Sequence, residues 1–186
     1  MIFLRKFMLP RDIFDKKKRG LVLRGMAELL IIWHSRTGGS RQMAEAAYDA
    51  AREEGAARIL TAEEAGPDDL LAAAGYLFCA PENLASLSGQ MKEFFDRCYY
   101  PVLGQIEGRP YAQMICAGSD GQGAARQLAR IATGWRLREV QPPFILCTHA
   151  QTPEAILAPK KLDAETLAPC RELGAALSVG LALGVF

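Results

Sequence analysis

The sequence lacks several patterns that assign a chain to a functional class. Its five cysteines form no CxxC pair and no metal-like spacing, which excludes the common zinc and dithiol motifs. Its glycine-rich segments contain neither the lysine of a Walker A loop nor the GxGxxG spacing of a dinucleotide-binding fold. No internal repeat or low-complexity linker is present, and no metal site or transmembrane segment is expected. What remains is the composition of one globular α/β domain: 186 residues, 50% of them hydrophobic.

Three of the cysteines lie inside apolar runs: Cys79, Cys116 and Cys147. Free cysteine behaves as a small hydrophobic residue in protein cores. We therefore predict buried thiols without disulfides, which is typical of a reducing compartment and favours a cytoplasmic location.

Charge is distributed unevenly along the chain. Residues 1–25 carry eight basic and two acidic side chains, a net charge of +6, so the remainder sums to −5. This head has no apolar signal region. It is either a flexible basic arm for an acidic partner or membrane surface, or a plain upstream extension, and short basic runs favour the extension. We expect a head of residues 1–25, a domain of residues 26–186 and no nucleic-acid partner.

Short apolar runs alternate with helical patterns beyond the head. Apolar strands separated by helices predict a parallel sheet covered on both faces. The commonest solution is a three-layer α/β/α fold of the flavodoxin-like type, with a five-stranded sheet of order 2-1-3-4-5. The predicted strands are 28–33, 58–61, 76–80, 111–117 and 144–148; the predicted helices are 40–54, 67–75, one capped by Ser88, 122–133, and one from Asp163 interrupted at Pro169.

This strand order brings the loops after strands 1, 3 and 4 to one edge of the sheet, where ligands bind in such folds. These loops are "HSRTGGS", "APENLASLSGQ" and "AGSDGQG", and they are rich in small polar residues. By contrast, the loop "TAEEAGPDD" after strand 2 is acidic and would repel an anion. The sequence therefore predicts a ligand between the three small-residue loops.

The first loop has the composition of a phosphate cradle. Hydroxyl groups on Ser35, Thr37 and Ser40, with the backbone N–H groups of residues 36–40, can surround an anion at a helix N-terminus. Gly38 and Gly39 permit the tight turn that this arrangement needs. A monophosphate with hydroxyl ligands is the ligand that this loop favours.

Two of these segments resemble known motifs. "SRTGGSRQMA" resembles the [ST]xTGx[ST] phosphate loop of flavodoxins, and "APENLASLSGQMKEFFDR" is similar to a segment of flavodoxin-like NAD(P)H-dependent FMN reductases and quinone oxidoreductases. The similarity covers residues 28–148. It implies FMN as cofactor. The residues that would bind its phosphate are Ser35, Arg36, Thr37, Gly38, Gly39 and Ser40. One side of the ring would be bordered by Pro81, Glu82, Asn83 and Leu84, and the other side by Gly118, Ser119, Asp120 and Gly121.

The resemblance implies hydride transfer from NAD(P)H through FMN to a quinone or a similar small acceptor, with no side chain acting as acid or base. Backbone N–H groups of the third loop would stabilise charge on the reduced ring. Leu84 and Ala85 stand where electron carriers usually place aromatics, which favours the enzyme. Tyr99, Tyr100 and Arg109 are candidates for lining the acceptor space, and homo-oligomers are frequent among such proteins.

Three alternatives remain open at this stage: a flavodoxin-type electron carrier, a cofactor-free binding module, and a hydrolase using Ser119 and His149. Ser119 follows a strand as in a nucleophile elbow, but the chain is short for that fold. His34 is interpreted as a bystander. Asp120 is interpreted as a helix cap rather than a metal ligand, because no second carboxylate is spaced to join it.

Overall fold

The computed structural model describes residues 27–186, so the predictions for the basic head lie outside the described residues. Seven strands and six helices form this part of the chain. The strands are β1 (Leu29–Trp33), β2 (Ala57–Thr61), β3 (Gly75–Asn83), β4 (Ser86–Leu87), β5 (Pro110–Ala117), β6 (Arg138–Glu139) and β7 (Phe144–Cys147). The helices are α1 (Gly39–Glu54), α2 (Pro67–Ala72), α3 (Gly89–Val102), α4 (Gln122–Gly134), α5 (Pro153–Leu157) and α6 (Ala164–Leu183).

The main sheet is parallel, with β2, β1, β3 and β5 side by side. The last position is shared: β6 pairs with the start of β5 at Pro110 and Tyr111, and β7 pairs with its end from Met114 to Ala117. The predicted order 2-1-3-4-5 is therefore confirmed, with β5 and β7 as its fourth and fifth strands. The short β6 was not predicted, because two exposed polar residues leave no apolar pattern.

Two hydrophobic layers cover the sheet. Alternate residues of β1 point to opposite faces, so Leu30 and Ile32 join one core while Leu29 and Ile31 join the other. The first core holds the aromatic residues of β3 and α3 together with Tyr111 of β5 and Trp135, which follows α4; the second core lies under α1 and α6. Burial on both faces explains why the strands are apolar throughout.

The predicted helix over 67–75 is too long. The α2 helix ends at Ala72, and Ala73 has extended backbone angles. Gly75 begins β3 instead, at a place where a Cβ would lie 3.0 Å from Leu181 and 3.1 Å from Pro110 side-chain atoms. This glycine is a packing requirement of the strand and does not mark the end of the helix.

The predicted interruption at Pro169 is also wrong, since α6 runs continuously through it. Proline removes one backbone donor, here the one that would bond to the carbonyl of Glu165. Both residues are exposed, so water can satisfy that carbonyl. None of the helices formed by residues 27–186 is long and apolar enough to cross a membrane.

Candidate functional site

A pocket of about 110 Å³ lies at the carboxyl edge of the sheet, among the segments that follow β1, β3, β5 and β7. Nine of the predicted site residues line it: Ser35, Arg36, Thr37, Gly39, Ser40, Pro81, Glu82, Asn83 and Gly118. The structure thus brings the three predicted loops together, as the strand order requires. Seven further lining residues were not predicted: Cys116, Ala117, Thr148, Ala150, Ile156, Leu157 and Lys160.

Five predicted site residues lie outside this lining: Gly38, Leu84, Ser119, Asp120 and Gly121. Gly38 and Gly121 take left-handed backbone angles immediately before α1 and α4 and shape the turns there. Ser119 and Asp120 are exposed. Leu84 is fully exposed at the tip of the second loop.

The first loop ends in unpaired donors at the start of α1. The first intrahelical bond runs from the Gln42 N–H to the Gly38 carbonyl (3.1 Å), so the amides of residues 39–41 precede the helical pattern. Beside them, the Ser40 hydroxyl is buried and has no oxygen or nitrogen hydrogen-bond partner within residues 27–186; its polar neighbour is the Cys116 thiol, a weak hydrogen-bonding group. A buried hydroxyl without a partner is costly, so this arrangement favours an anionic ligand that would satisfy it.

Ser35 lines the pocket and also makes a hydrogen bond within the first loop. Its hydroxyl accepts a hydrogen bond from the Gly38 N–H (3.0 Å) and so holds the turn. Gly38 has φ +90°, which favours glycine. A Cβ on Gly39 would lie 2.6 Å from the Cys116 sulfur, so the loop packs directly on β5.

The second loop is a hairpin rather than an open loop. β3 continues to Asn83, and β4 returns antiparallel to it, pairing Ser86 with Asn83. Leu84 and Ala85 form the two-residue turn with φ +53° and +58°, a conformation that asparagine and glycine usually supply. The turn packs on α4, where a Cβ on Gly123 would lie 2.2 Å from the Ala85 carbonyl oxygen.

Glu82 caps α4, which corrects the interpretation of Asp120 as its cap. The Glu82 carboxylate accepts hydrogen bonds from the Gly121 N–H (2.9 Å) and the Ala124 N–H (2.8 Å). The side chain reaches α4 because β3 and β5 are neighbours, a relation that local sequence does not contain. One amide of the third loop that was expected to stabilise charge on a bound ring, that of Gly121, is therefore already occupied.

His34 and Ser88 form a buried pair that joins the first loop to the start of α3. The Nδ1 atom of His34 lies 2.9 Å from the Ser88 hydroxyl, and both residues are buried. Burial lowers the pKa of His34, while the Glu63 carboxylate raises it and the Arg36 guanidinium lowers it. Ser88 occupies the predicted N-cap position, but its hydroxyl bonds to His34 instead of a helix amide.

The charged groups of the lining are Arg36, Lys160 and Glu82. Glu82 is engaged with two amides, and the exposed Arg36 forms no salt bridge within residues 27–186. Burial raises the pKa of the lining residue Cys116 to about 11, with the Lys160 ammonium acting in the opposite direction. This thiol stays protonated at neutral pH, so it is not an activated nucleophile.

Tyr99, Tyr100 and Arg109 do not line the pocket, contrary to the prediction. Tyr99 stacks on Trp135 with ring centroids 5.9 Å apart. Arg109 lies just before β5, at the amino edge of the sheet, where its guanidinium donates to the carbonyls of Leu70 and Leu71. Parallel strands place residues that precede β5 at the edge opposite to the pocket.

The hydrolase alternative has no geometric support. Ser119 and His149 are both exposed, and no hydrogen bond joins them in the described part of the chain. His149 does have φ +55°, at the exit of β7. A nucleophilic serine needs its base within hydrogen-bond reach.

Residues 148–162, here named the strap, form a fourth side of the pocket that was not predicted from the sequence. The strap contains α5, which Thr152 caps by accepting from the Ala155 N–H (3.2 Å). Its sequence "TPEA" has the threonine cap and first-turn proline of a helix start, a signal that would have predicted α5. Nothing local indicates that this helix lies against the phosphate loop.

Gln42 joins the strap to the first loop. Its side-chain amide donates to the carbonyls of Gly38 (2.9 Å) and Lys160 (2.8 Å) and accepts from the Leu162 N–H (3.0 Å). The Lys160 N–H also donates to the Thr37 carbonyl (2.7 Å). Four hydrogen bonds therefore hold the strap and the loop in one arrangement.

Comparison with known proteins agrees with this architecture. Residues 64–152 match the model of a family described as NADPH-dependent FMN reductase, a region that includes the second and third loops. The chain is also 34% identical over 108 residues to a flavodoxin of Aquifex aeolicus. The resemblance to flavodoxin-like FMN reductases is confirmed. The match to the Aquifex aeolicus flavodoxin covers 56% of each chain, so this protein spans about half the length of that curated relative.

Solved structures show that the fold is flavodoxin-like. An archaeal flavodoxin superposes with a TM-score of 0.66 at 14% identity, covering 83% of this chain and 98% of its own. Flavodoxin 1 of Bacillus cereus superposes with a TM-score of 0.66 at 17% identity, and the superposition covers 81% of this chain and 97% of that flavodoxin. The flavodiiron core of Flv1 from Synechocystis superposes with a TM-score of 0.69 at 14% identity, and the superposition covers 94% of this chain and 41% of the Flv1 chain.

Proposed function

We propose that residues 26–186 form an FMN-binding oxidoreductase domain that transfers hydride from NAD(P)H through FMN to a quinone or a similar small acceptor. The observation that carries the proposal is the buried Ser40 hydroxyl without a partner, beside the unpaired amides that open α1. The family similarity supports FMN as the anion's source.

The phosphate end of the pocket fits FMN. The amides of residues 39–41 and the hydroxyls of Thr37 and Ser40 would hold the phosphate, in the field of the helix N-terminus. Ser35 would support them by fixing the turn through the Gly38 N–H. The hydrogen bonds that join this loop to the strap fix its backbone, which lowers the entropic cost of binding.

The lining at the ring end supports an enzyme rather than a carrier. It contains no aromatic side chain among the described residues, and its apolar members include Pro81, Ile156 and Leu157. An aliphatic border leaves one ring face open to a planar nicotinamide or quinone. Leu84 projects fully into solvent and does not cover the pocket.

When bound, FMN supplies the redox chemistry, accepting a hydride and passing two electrons to the acceptor. The protein's own contribution would be to hold the phosphate, and Pro81 and Asn83 would border the ring. Glu82 keeps the second and third loops in register through its two bonds to α4. No side chain in the lining is needed as acid or base.

A flavodoxin-type electron carrier is the second candidate, favoured by the similarity to the Aquifex aeolicus flavodoxin. A carrier and a reductase share the cofactor but differ in direct turnover of a nicotinamide.

The test is an FMN titration followed by steady-state kinetics. We expect the purified protein to take up FMN with the visible bands of oxidised flavin, and to oxidise NADH or NADPH only when a quinone is present. FMN uptake without nicotinamide oxidation would support the carrier. Absence of uptake at high FMN concentration would contradict both.

A further inference from the structure

Lys160 is fixed against the phosphate loop from outside that loop. Its backbone N–H donates to the Thr37 carbonyl (2.7 Å), and its carbonyl accepts from Gln42. Its Cγ lies 3.7 Å from where a Cβ of Gly39 would stand, so the stem of the side chain runs across the start of α1. The strap therefore places the backbone and the stem of Lys160 beside the cradle, and its ammonium is near enough to the lining residue Cys116 to act on the pKa of that thiol.

The ammonium of Lys160 is already fully hydrogen-bonded. It donates to the carbonyls of Ala155 (2.8 Å), Ile156 (3.0 Å) and Ala158 (2.7 Å), which satisfies the end of α5. A lysine ammonium has three donors, and all three are engaged. Its effect on a nearby anion is therefore electrostatic and needs no direct bond.

A cation near the cradle would strengthen the binding of a phosphate monoester. Arg36 and Lys160 are the cations of the lining, and Glu82 is its anion. Arg36 is exposed on the loop itself and screened by water, whereas the position of Lys160 is set by the bonds of the strap. The two residues thus differ in how firmly their charge is placed.

We propose that Lys160 supplies the countercharge that selects a phosphorylated flavin, so that the strap is the phosphate-specificity element of the site. This inference rests on the proposed function. It goes beyond the three loops, because it assigns discrimination between FMN and riboflavin to a residue between β7 and α6.

The experiment compares FMN and riboflavin binding to wild type, Lys160→Gln, Lys160→Arg and Lys161→Gln. Glutamine keeps donors for the α5 carbonyls but removes the charge, arginine keeps the charge, and Lys161 is the exposed neighbour that serves as control. We expect Lys160→Gln to weaken FMN binding about tenfold while riboflavin binding stays the same. The arginine and Lys161 variants should stay within about twofold of wild type.

Equal weakening of FMN and riboflavin by Lys160→Gln would overturn the proposal, because it would show that the lysine only holds the strap. Unchanged FMN affinity would overturn it too. Should the glutamine variant not fold, Lys160→Met, which keeps the apolar stem, gives the same comparison. Failure of wild type to bind either flavin would contradict the proposed function itself. Normal FMN binding by wild type, with the same affinity in Lys160→Gln, would contradict only this inference.

Discussion

The two edges of the sheet use polar residues in opposite ways. At the amino edge, the Arg109 guanidinium donates to the carbonyls of Leu70 and Leu71 and to the Tyr76 hydroxyl. At the carboxyl edge, the Ser40 hydroxyl is buried but has no oxygen or nitrogen partner among residues 27–186, and the amides beside it are unpaired. One edge is closed by its own hydrogen bonds, while the other has donors left over.

This difference separates stability from binding. A buried polar group whose partners are all internal stabilises the fold, and its loss lowers the free energy of unfolding. A buried polar group without an internal partner costs stability until a ligand or a water molecule satisfies it. Variants at the two edges should therefore change different quantities.

The largest effect is expected for Thr37→Glu at the carboxyl edge. The new carboxylate would occupy the amides that open α1 and repel the phosphate, so FMN affinity should fall more than about a hundredfold. An acidic residue at a helix N-terminus is compatible with folding. An FMN titration with circular dichroism measures both quantities, and Thr37→Gln, similar in size but uncharged, is the matched control. Unchanged affinity in Thr37→Glu would contradict the phosphate assignment.

At the amino edge, Arg109→Leu should do the reverse. The variant leaves the carbonyls of α2 and the Tyr76 hydroxyl without their charged donor, and it should lose about 2–4 kcal/mol of unfolding free energy. FMN affinity, measured on the folded variant, should be unchanged. Urea denaturation checks the prediction, with the exposed Arg52→Leu expected within about 0.5 kcal/mol of wild type. A loss of FMN affinity in folded Arg109→Leu would break the separation of the two edges.

Ser40→Ala should raise the stability of the flavin-free protein and lower its affinity for FMN. Removing a buried hydroxyl without a partner should raise the unfolding free energy of the flavin-free protein by about 0.5–1.5 kcal/mol. The same change should weaken FMN binding about tenfold, because the phosphate loses a donor. Destabilisation together with unchanged FMN affinity would show that this hydroxyl belongs to the fold.

The smallest effect concerns pH. Burial lowers the pKa of His34, so the unfolded chain binds this proton more readily than the folded one. Stability should therefore fall as the pH drops below the ordinary histidine value of 6.5. His34→Asn, whose amide does not titrate, should show a smaller fall over the same range. Thermal unfolding between pH 7.5 and 5.5, at roughly half-unit steps around the histidine pKa, compares them; parallel curves would contradict the prediction.

Much of the architecture followed from the sequence, because hydrophobic periodicity acts locally. Apolar runs placed the strands, and the strand order then brought the loops holding Ser35, Pro81 and Gly118 to one pocket. The first loop could be predicted as a candidate phosphate site because its glycines and hydroxyls lie within a few residues of each other.

Other features were decided only by the tertiary structure, since each depends on contacts distant in sequence. Glu82 caps a helix about 40 residues away because β3 and β5 are neighbours, and this leaves Asp120 without the capping role that its local position favours. Lys160 is held at the cradle by hydrogen bonds to Thr37 and Gln42, and each of these residues is more than 100 positions away from Lys160 in the chain. The sequence thus determined which residues could form a phosphate loop, and packing decided which charges surround it.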